Sequence, residues 1–211
     1  MKLYNADLSP NALRVRAVIN ELDLPVEVVQ VDLRSRANKA PEFMEKHPMG
    51  KVPVLEDGDF RLWESRAILS YLSALKPEAG LYPDDPKKRA LVDQWTYWQT
   101  VHLSPVAQKI VFEMVMKPMF GMGDPDPSAV ESDREELNSL LALLDSALEG
   151  KDWIVGDLSL ADFTLASTFV YAAPAGISLD GFPNVAAWWA RMGDRPSWQA
   201  AVAPLAAIVG G

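Results

Sequence analysis

Strand signals in this chain stop early. From about residue 88 onward no convincing strand remains, whereas the first 75 or so residues alternate short strand patterns with helical ones. A chain ordered this way is expected to fold as a mixed α/β unit followed by an all-helical one. KLYN opens as a short strand. A helix fits residues 10–22, with Ala12, Val15, Ile19 and Leu22 on one face at helical spacing, and Pro25 lies just beyond it. VEVVQVDL is rich in β-branched residues and reads as a second strand, and one short helix fits within 41–46. KVPVLEDGDFRLW reads as a hairpin turning at Asp57-Gly58, because Asp-Gly flanked by strand patterns is a strong short-range hairpin signal. A helix follows, with Ala67, Ile68, Tyr71, Leu72 and Leu75 as its buried stripe. The expected order is β-α-β, a loop, then β-β-α.

Residues 77–87 hold prolines and a glycine and read as a linker, which divides the chain into 1–76 and 88–211. Helical patterns run over about 88–116 and 127–148, and shorter ones start near Ser159, Pro183 and Pro196. Ser159-Leu160-Ala161-Asp162 fits a capping box and reads as structural. The seven tryptophans, among them Trp95, Trp98, Trp188 and Trp189, read as core. Half of the chain is hydrophobic, yet no apolar run reaches the length of a membrane helix, and no leader-like segment opens the sequence. The expectation is a cytoplasmic protein without a membrane or nucleic-acid partner, since a net charge of -9 disfavours polyanions. His47 and His102 do not suggest a metal site. There is no cysteine, which excludes disulfides, zinc-thiolate sites and a protein thiol nucleophile. Any sulfur chemistry must arrive with a substrate.

Three short clusters carry the chemical signal. Ser9-Pro10-Asn11 places a favoured cap and a favoured first-turn proline at the start of the first helix. Ser9 either caps that helix and nothing more, or its hydroxyl and the helix N-terminus stabilise a bound thiolate. Lys51-Val52-Pro53-Val54 puts a proline within a strand-like run. That is either an edge strand or a cis proline that leaves the Val52 backbone free to pair with an extended peptide. Trp63-Glu64-Ser65 precedes a helix. Ser65 is either its cap or, with Glu64, the holder of an α-amino acid terminus, the hydroxyl taking the carboxylate and Glu64 the ammonium. Together the clusters describe a thiolate site, a peptide-pairing edge and an amino-acid-terminus site, and glutathione presents all three features.

On these residues the sequence resembles the cytosolic glutathione transferases, closest to the phi class and its bacterial relatives. HPMGKVPVLEDGDFRLWESRAILSYL is similar to the segment of that class that holds glutathione, SPVAQKIVFEMVMKPMFG to its fourth helix, and WIVGDLSLADF to the family's C-terminal capping motif. The resemblance implies a thioredoxin-like N-terminal domain, an all-α C-terminal domain, a homodimer, and glutathione as co-substrate without a further cofactor. It implies Ser9 as the residue that binds the sulfur, Lys39 on the glycyl carboxylate, and Lys51 in the same region. Val52 beside cis Pro53 would pair with the cysteinyl unit, and Glu64 and Ser65 would hold the γ-glutamyl end. The electrophile would meet the loop near Arg34 and Ser35, with Leu103, Phe112 and Met116 from the helical part.

The chain departs from the phi pattern in two places. Asn38-Lys39 stands where plant members commonly carry His-Lys, and Asn38 can still donate and accept. Asn11, two residues past Ser9, matches an asparagine that helps or replaces the hydroxyl in some bacterial relatives, so the sulfur contact is open between Ser9 and Asn11. Classes that work through a cysteine near this position are ruled out. Tyr4 reads as a strand residue. Two functions follow from the resemblance: conjugation of glutathione to small apolar electrophiles, with peroxide reduction as a side activity, or a non-catalytic carrier or interaction module of the same fold.

Overall fold

The computed structural model describes residues 1–209, the last of them by its backbone alone. Four short strands form one sheet in the order β2-β1-β3-β4, with β1 at Lys2–Asn5, β2 at Glu27–Gln30, β3 at Val54–Asp57 and β4 at Phe60–Trp63. β1 and β2 are parallel, Leu3 facing Val28, which requires the crossover helix α1 (Pro10–Glu21) between them. β1 and β3 are antiparallel with Leu3 opposite Leu55, and β4 continues the meander. The α/β arrangement is the one expected. β2 is shorter than the VEVVQVDL pattern, because only its first part finds a partner on the four-residue β1. The hairpin turns one residue later than expected: Asp57 pairs with Phe60, so Gly58 and Asp59 form the turn, and Gly58 takes φ +59°. Tyr4 lies on β1, edge-on to Phe43, and its hydroxyl donates to Glu56 at 2.8 Å.

α1 is buried on nearly every side, from Ala12 through Ile19. The apolar stripe read from the sequence is there, and each such side chain removed from water contributes about 1.5–3 kcal/mol. Arg14 and Arg16 are also buried. A short helix α2 (Pro41–Met44) precedes β3, and α3 (Ser65–Ala74) follows β4. The buried stripe of α3 is Ser65, Ile68, Leu69, Leu72 and Ser73. Ala67 and Leu75 of the expected stripe are exposed and Tyr71 is half-buried. The face is rotated toward α1 and β3, against which α3 lies.

The described residues fall into two compact units, Met1–Pro83 with the chain from Arg195 on, and Asp84–Asp194. Sequence reading placed the boundary in 77–87 and left the rest of the chain to the helical part. The closing helix instead belongs with the first unit, because it packs along α1. Within the second unit, α4 (Pro86–Trp98), α5 (Ser104–Val111) and α6 (Lys117–Met119) make one helical run, joined by π-helical stretches at Gln99–Leu103 and Phe112–Met116. α7 (Glu131–Leu148), α8 (Leu160–Ala166) and α9 (Pro183–Gly193) complete that unit, and α10 (Pro196–Val209) is the last element of the described residues. α8 starts on the expected capping box. Asp162 accepts from the Ser159 N–H and hydroxyl, from Ile154 N–H and from the Trp188 indole, each at 3.0 Å. Burial raises the Asp162 pKa, against the pull of these four donors. No helix among the described residues is long and apolar enough to cross a membrane, and no cluster of metal-ligating side chains occurs among them.

Candidate active site

The β1–α1 loop delivers Ser9 in extended conformation to the start of α1, with Pro10 in the first turn. Ser9 Oγ accepts from Ala12 N–H at 3.3 Å, so the residue is a cap, as both readings of it allow. Accepting that bond leaves the hydroxyl proton available as a donor. Asn11, half-buried one residue into the helix, lines a cavity of about 100 Å³ together with His47, Lys51, Val52, Pro53, Glu64, Ser65 and Arg66.

Each wall of that cavity has a local cause. The Val52-Pro53 bond is cis, and Pro53 sits just ahead of β3, which is a central strand. Of the two readings of this proline the edge strand is therefore excluded. Gly50 takes φ +56°, and a Cβ there would lie 2.4 Å from the Asn38 carbonyl oxygen and 2.6 Å from the Met44 sulfur. Only glycine lets the chain pass so close. Asn38 Nδ2 donates to the Gly50 carbonyl at 2.7 Å, which ties the preceding loop to Lys51-Val52. His47 is buried, accepts from Met49 N–H through Nδ1 at 3.1 Å, and lies against Trp63 with ring centroids 5.1 Å apart. Burial pushes its pKa down, with the Lys51 and Lys39 charges adding to the effect and Glu64 opposing it. A neutral His47 with Nδ1 as acceptor keeps Nε2–H as a donor.

The start of α3 differs from expectation in one respect. The cap position is Glu64, not Ser65, and its side chain makes no capping bond. Glu64 holds φ 72°, a conformation that costs a glutamate on the order of 1–3 kcal/mol and that clusters at ligand sites. The first turn of α3, with buried Ser65 at its head, therefore presents N–H groups that no side chain of that cap satisfies, an arrangement suited to an anion. Burial lowers the Arg66 pKa and the Glu64 carboxylate opposes the change. Cationic Lys51 and Arg66, anionic Glu64 and a free helix end around one cavity match a group carrying both a carboxylate and an ammonium.

The remaining expected residues are more dispersed. Lys39 is exposed and donates through Nζ to the Met49 carbonyl at 2.7 Å, outside the cavity lining. A second, more apolar cavity of about 250 Å³ is lined by Ala6, Asp7, Leu8, Val31, Asp32, Leu33, Arg34 and Ile208, and so includes the loop at Arg34. Ser35 is exposed and donates to the Asp32 carbonyl. In the helical unit, Leu103 and Met116 end the two π-helical stretches and Phe112 begins the second. Leu103 has no exposed surface, Phe112 is 47% exposed and Met116 is half-buried. π-helical turns recur at functional sites, where they re-aim side chains.

Comparison with known proteins decides the family. Residues 1–74 match the model of the glutathione S-transferase N-terminal domain, and residues 103–196 that of the C-terminal domain. A glutathione S-transferase of Hyoscyamus muticus is 37% identical, covering 96% of this chain and 97% of its own. Glutathione S-transferase 3 of Zea mays is 35% identical, covering 97% and 94%. Among solved structures, glutathione S-transferase I bound with lactoylglutathione superposes with a TM-score of 0.88 at 32% identity, covering 96% and 98%. Glutathione S-transferase I from maize in complex with an atrazine–glutathione conjugate gives 0.87 at 34%, covering 96% of each chain. The chain belongs to the glutathione S-transferase family.

Within that family its kinship is with the phi class, as the 47–72 segment indicated. For this transferase, the cavity brings together Asn11, Lys51, Val52, Pro53, Glu64 and Ser65 of the residues chosen from sequence. Ser9 stands two residues from Asn11 at the head of the same helix. Two lining residues were missed. His47 carried no signal, because a lone histidine offers no spacing to read. Arg66 is not singled out by any motif, although it directly follows Glu64-Ser65 and shares their helix end.

Proposed function

We propose that this transferase binds glutathione along Lys51–Val52–cis-Pro53 and joins its sulfur to small apolar electrophiles. The single observation that carries the reading is the α3 start. There Glu64 in a strained conformation and Ser65 head a helix without a side-chain cap, opening on a cavity with Lys51 and Arg66. Glu64 accepts from the γ-glutamyl ammonium. Ser65 and the free N–H groups take the carboxylate, with Arg66 and Lys51 adding positive potential. The Val52 backbone pairs with the cysteinyl unit. Lys39 serves the glycyl carboxylate after releasing the Met49 carbonyl.

The sulfur then lies at the start of α1. A free thiol with a pKa of about 8.5 is only about 3% ionised at neutral pH, and lowering it by about two units requires about 2.7 kcal/mol. One hydroxyl or amide hydrogen bond from Ser9 or Asn11 and the helix N-terminus supply much of that. The thiol proton goes to solvent, and the sulfur lone pair forms a C–S bond while the leaving group departs with its electrons. Because a less basic thiolate is a weaker nucleophile, with a slope near 0.4–0.5, about 25-fold more thiolate nets only about threefold in rate. Holding the electrophile beside the sulfur must supply much of the rest. Phe112 and Met116 are the apolar contacts proposed for it, with adaptable Met114, Met119 and Met122 nearby in sequence. Leu103, wholly buried, is left to the core. The same thiolate can attack a peroxide oxygen, releasing the alcohol and leaving a sulfenic acid that a second glutathione converts to disulfide and water. Homodimerisation is part of the proposal, and exposed Met49, Phe60, Leu91, Tyr97 and Val101 are consistent with it.

The test is retention on immobilised glutathione followed by turnover of chlorodinitrobenzene. Ser9→Ala is expected to lower turnover by about 10²-fold while sparing retention. Intact turnover in that variant would transfer the sulfur contact to Asn11, to be checked with Asn11→Ala. Retention without turnover in the unaltered protein would favour the carrier function instead.

A further inference from the structure

In the β1–α1 loop the Ser9 N–H donates to the Ala6 carbonyl at 2.9 Å. Asp7 ties the loop to its neighbours. Its Oδ1 accepts from Asn5 Nδ2 at 2.9 Å, from Gln30 Nε2 at 3.1 Å, and from the Nη1 of Arg16, with which it forms an ion pair. Arg16 in turn holds α10. Its Nη2 donates to the Ala201 carbonyl of α10 at 2.6 Å. The far end of α1 is held to the start of the same helix, by Arg195 just ahead of it and Ser197 on Glu21, and by Asn20 Nδ2 on the Ser197 carbonyl at 3.1 Å. Ile208 of α10 lines the same 250 Å³ cavity as Asp7 and Leu8.

The pair is largely withdrawn from water, with side-chain exposures of 9% for Arg16 and 24% for Asp7. Its charges are therefore less screened than those of a surface pair, and deleting one partner leaves the other uncompensated. Asp7 stands two residues before Ser9. A bare carboxylate there would oppose an anionic sulfur, as any like charge does.

We propose that Arg16 is a positioning residue of the active site. By holding Asp7 and the Ala201 carbonyl at once, it ties the loop that carries Ser9 to α10 and neutralises the carboxylate next to the thiolate. The inference rests on the reading of Ser9 and Asn11 as the sulfur site. It gives the closing helix a part in catalysis that neither its sequence nor its place at the chain end suggests.

The readout is the pKa of enzyme-bound glutathione, followed by the ultraviolet absorbance of its thiolate across pH, with the full chain. Arg16→Gln is expected to raise that pKa by about 0.5–1 pH unit. Arg16→Lys, which restores the charge but cannot bridge both partners, should bring it back toward the original value. Asp7→Asn should lower it, and the double variant Arg16→Gln/Asp7→Asn should fall near the starting point. A role in stability alone would leave the thiol pKa of the folded protein unmoved in every variant. Equal pKa values for Arg16→Gln and the unaltered protein overturn the proposal. If Arg16→Gln fails to fold, an unchanged pKa in Asp7→Asn overturns it just as well. If the unaltered protein itself shows no thiolate signal with glutathione, the sulfur-site reading fails, and this inference with it.

Discussion

The starts of α3 and α8 are the same kind of object treated in opposite ways. At α8, Ser159 and Asp162 satisfy each other's backbone and two further donors, deep in the core. At α3, Glu64 occupies the cap position in a strained conformation, makes no capping bond, and faces a cavity. A helix end carries the same partial charge and the same orphan N–H groups wherever it falls. Closing it with the protein's own side chains contributes stability, and leaving it open reserves it for a ligand. The comparison teaches that the incompletely capped helix, not the well-formed one, is where to look for binding.

The largest effect that tests this contrast is at Asp162. Asp162→Ala leaves buried N–H and hydroxyl donors without an acceptor and should cost about 3–5 kcal/mol, read as a lower urea midpoint. A loss below about 1 kcal/mol would mean that the α8 cap is not the anchor described. The paired substitutions Ser159→Ala and Ser65→Ala come next. The first should cost about 1 kcal/mol of stability and leave glutathione affinity alone, and the second should weaken affinity by about tenfold with little change in stability. If both variants lose stability equally, the distinction between the two helix ends collapses. The smallest expected effect is a gain. Glu64→Gly should relieve the positive-φ strain and stabilise the unligated protein by about 0.5–1 kcal/mol while losing glutathione retention. Loss of stability in that variant would show that the Glu64 side chain helps hold the fold.

Much of the first unit was legible because its signals are local. The strand-turn-strand pattern at 54–63 and the helix start at Ser9-Pro10 need only near neighbours, and both appear within one residue of expectation. The cis Val52-Pro53 bond was one of two open readings, and the central position of β3 decides it. The cap was one of two readings open for Ser65, because serine there satisfies a propensity, whereas the cap position falls one residue earlier, on a glutamate that propensity would not choose. The stripe of α3 was misjudged for a similar reason. Periodicity identifies an apolar face, but which serine or alanine turns inward depends on the partner it meets. His47 and Arg66 were invisible as site residues because a single polar side chain has no pattern, and its cavity is assembled from three segments.

By itself the sequence determined which stretches become strands and which become helices, where sulfur chemistry cannot come from a protein thiol, and which helix end carries Ser9 and Asn11. These follow from backbone propensity, side-chain period and composition, all of which act over a few residues. Only the tertiary structure decided that α10 belongs with the first unit, that Arg16 is buried between Asp7 and the Ala201 carbonyl, and that Glu64 must adopt a strained backbone. Those outcomes depend on contacts between residues up to 185 positions apart, and the energy of burying a charge is set by the partners that folding brings to it, not by its neighbours in the chain.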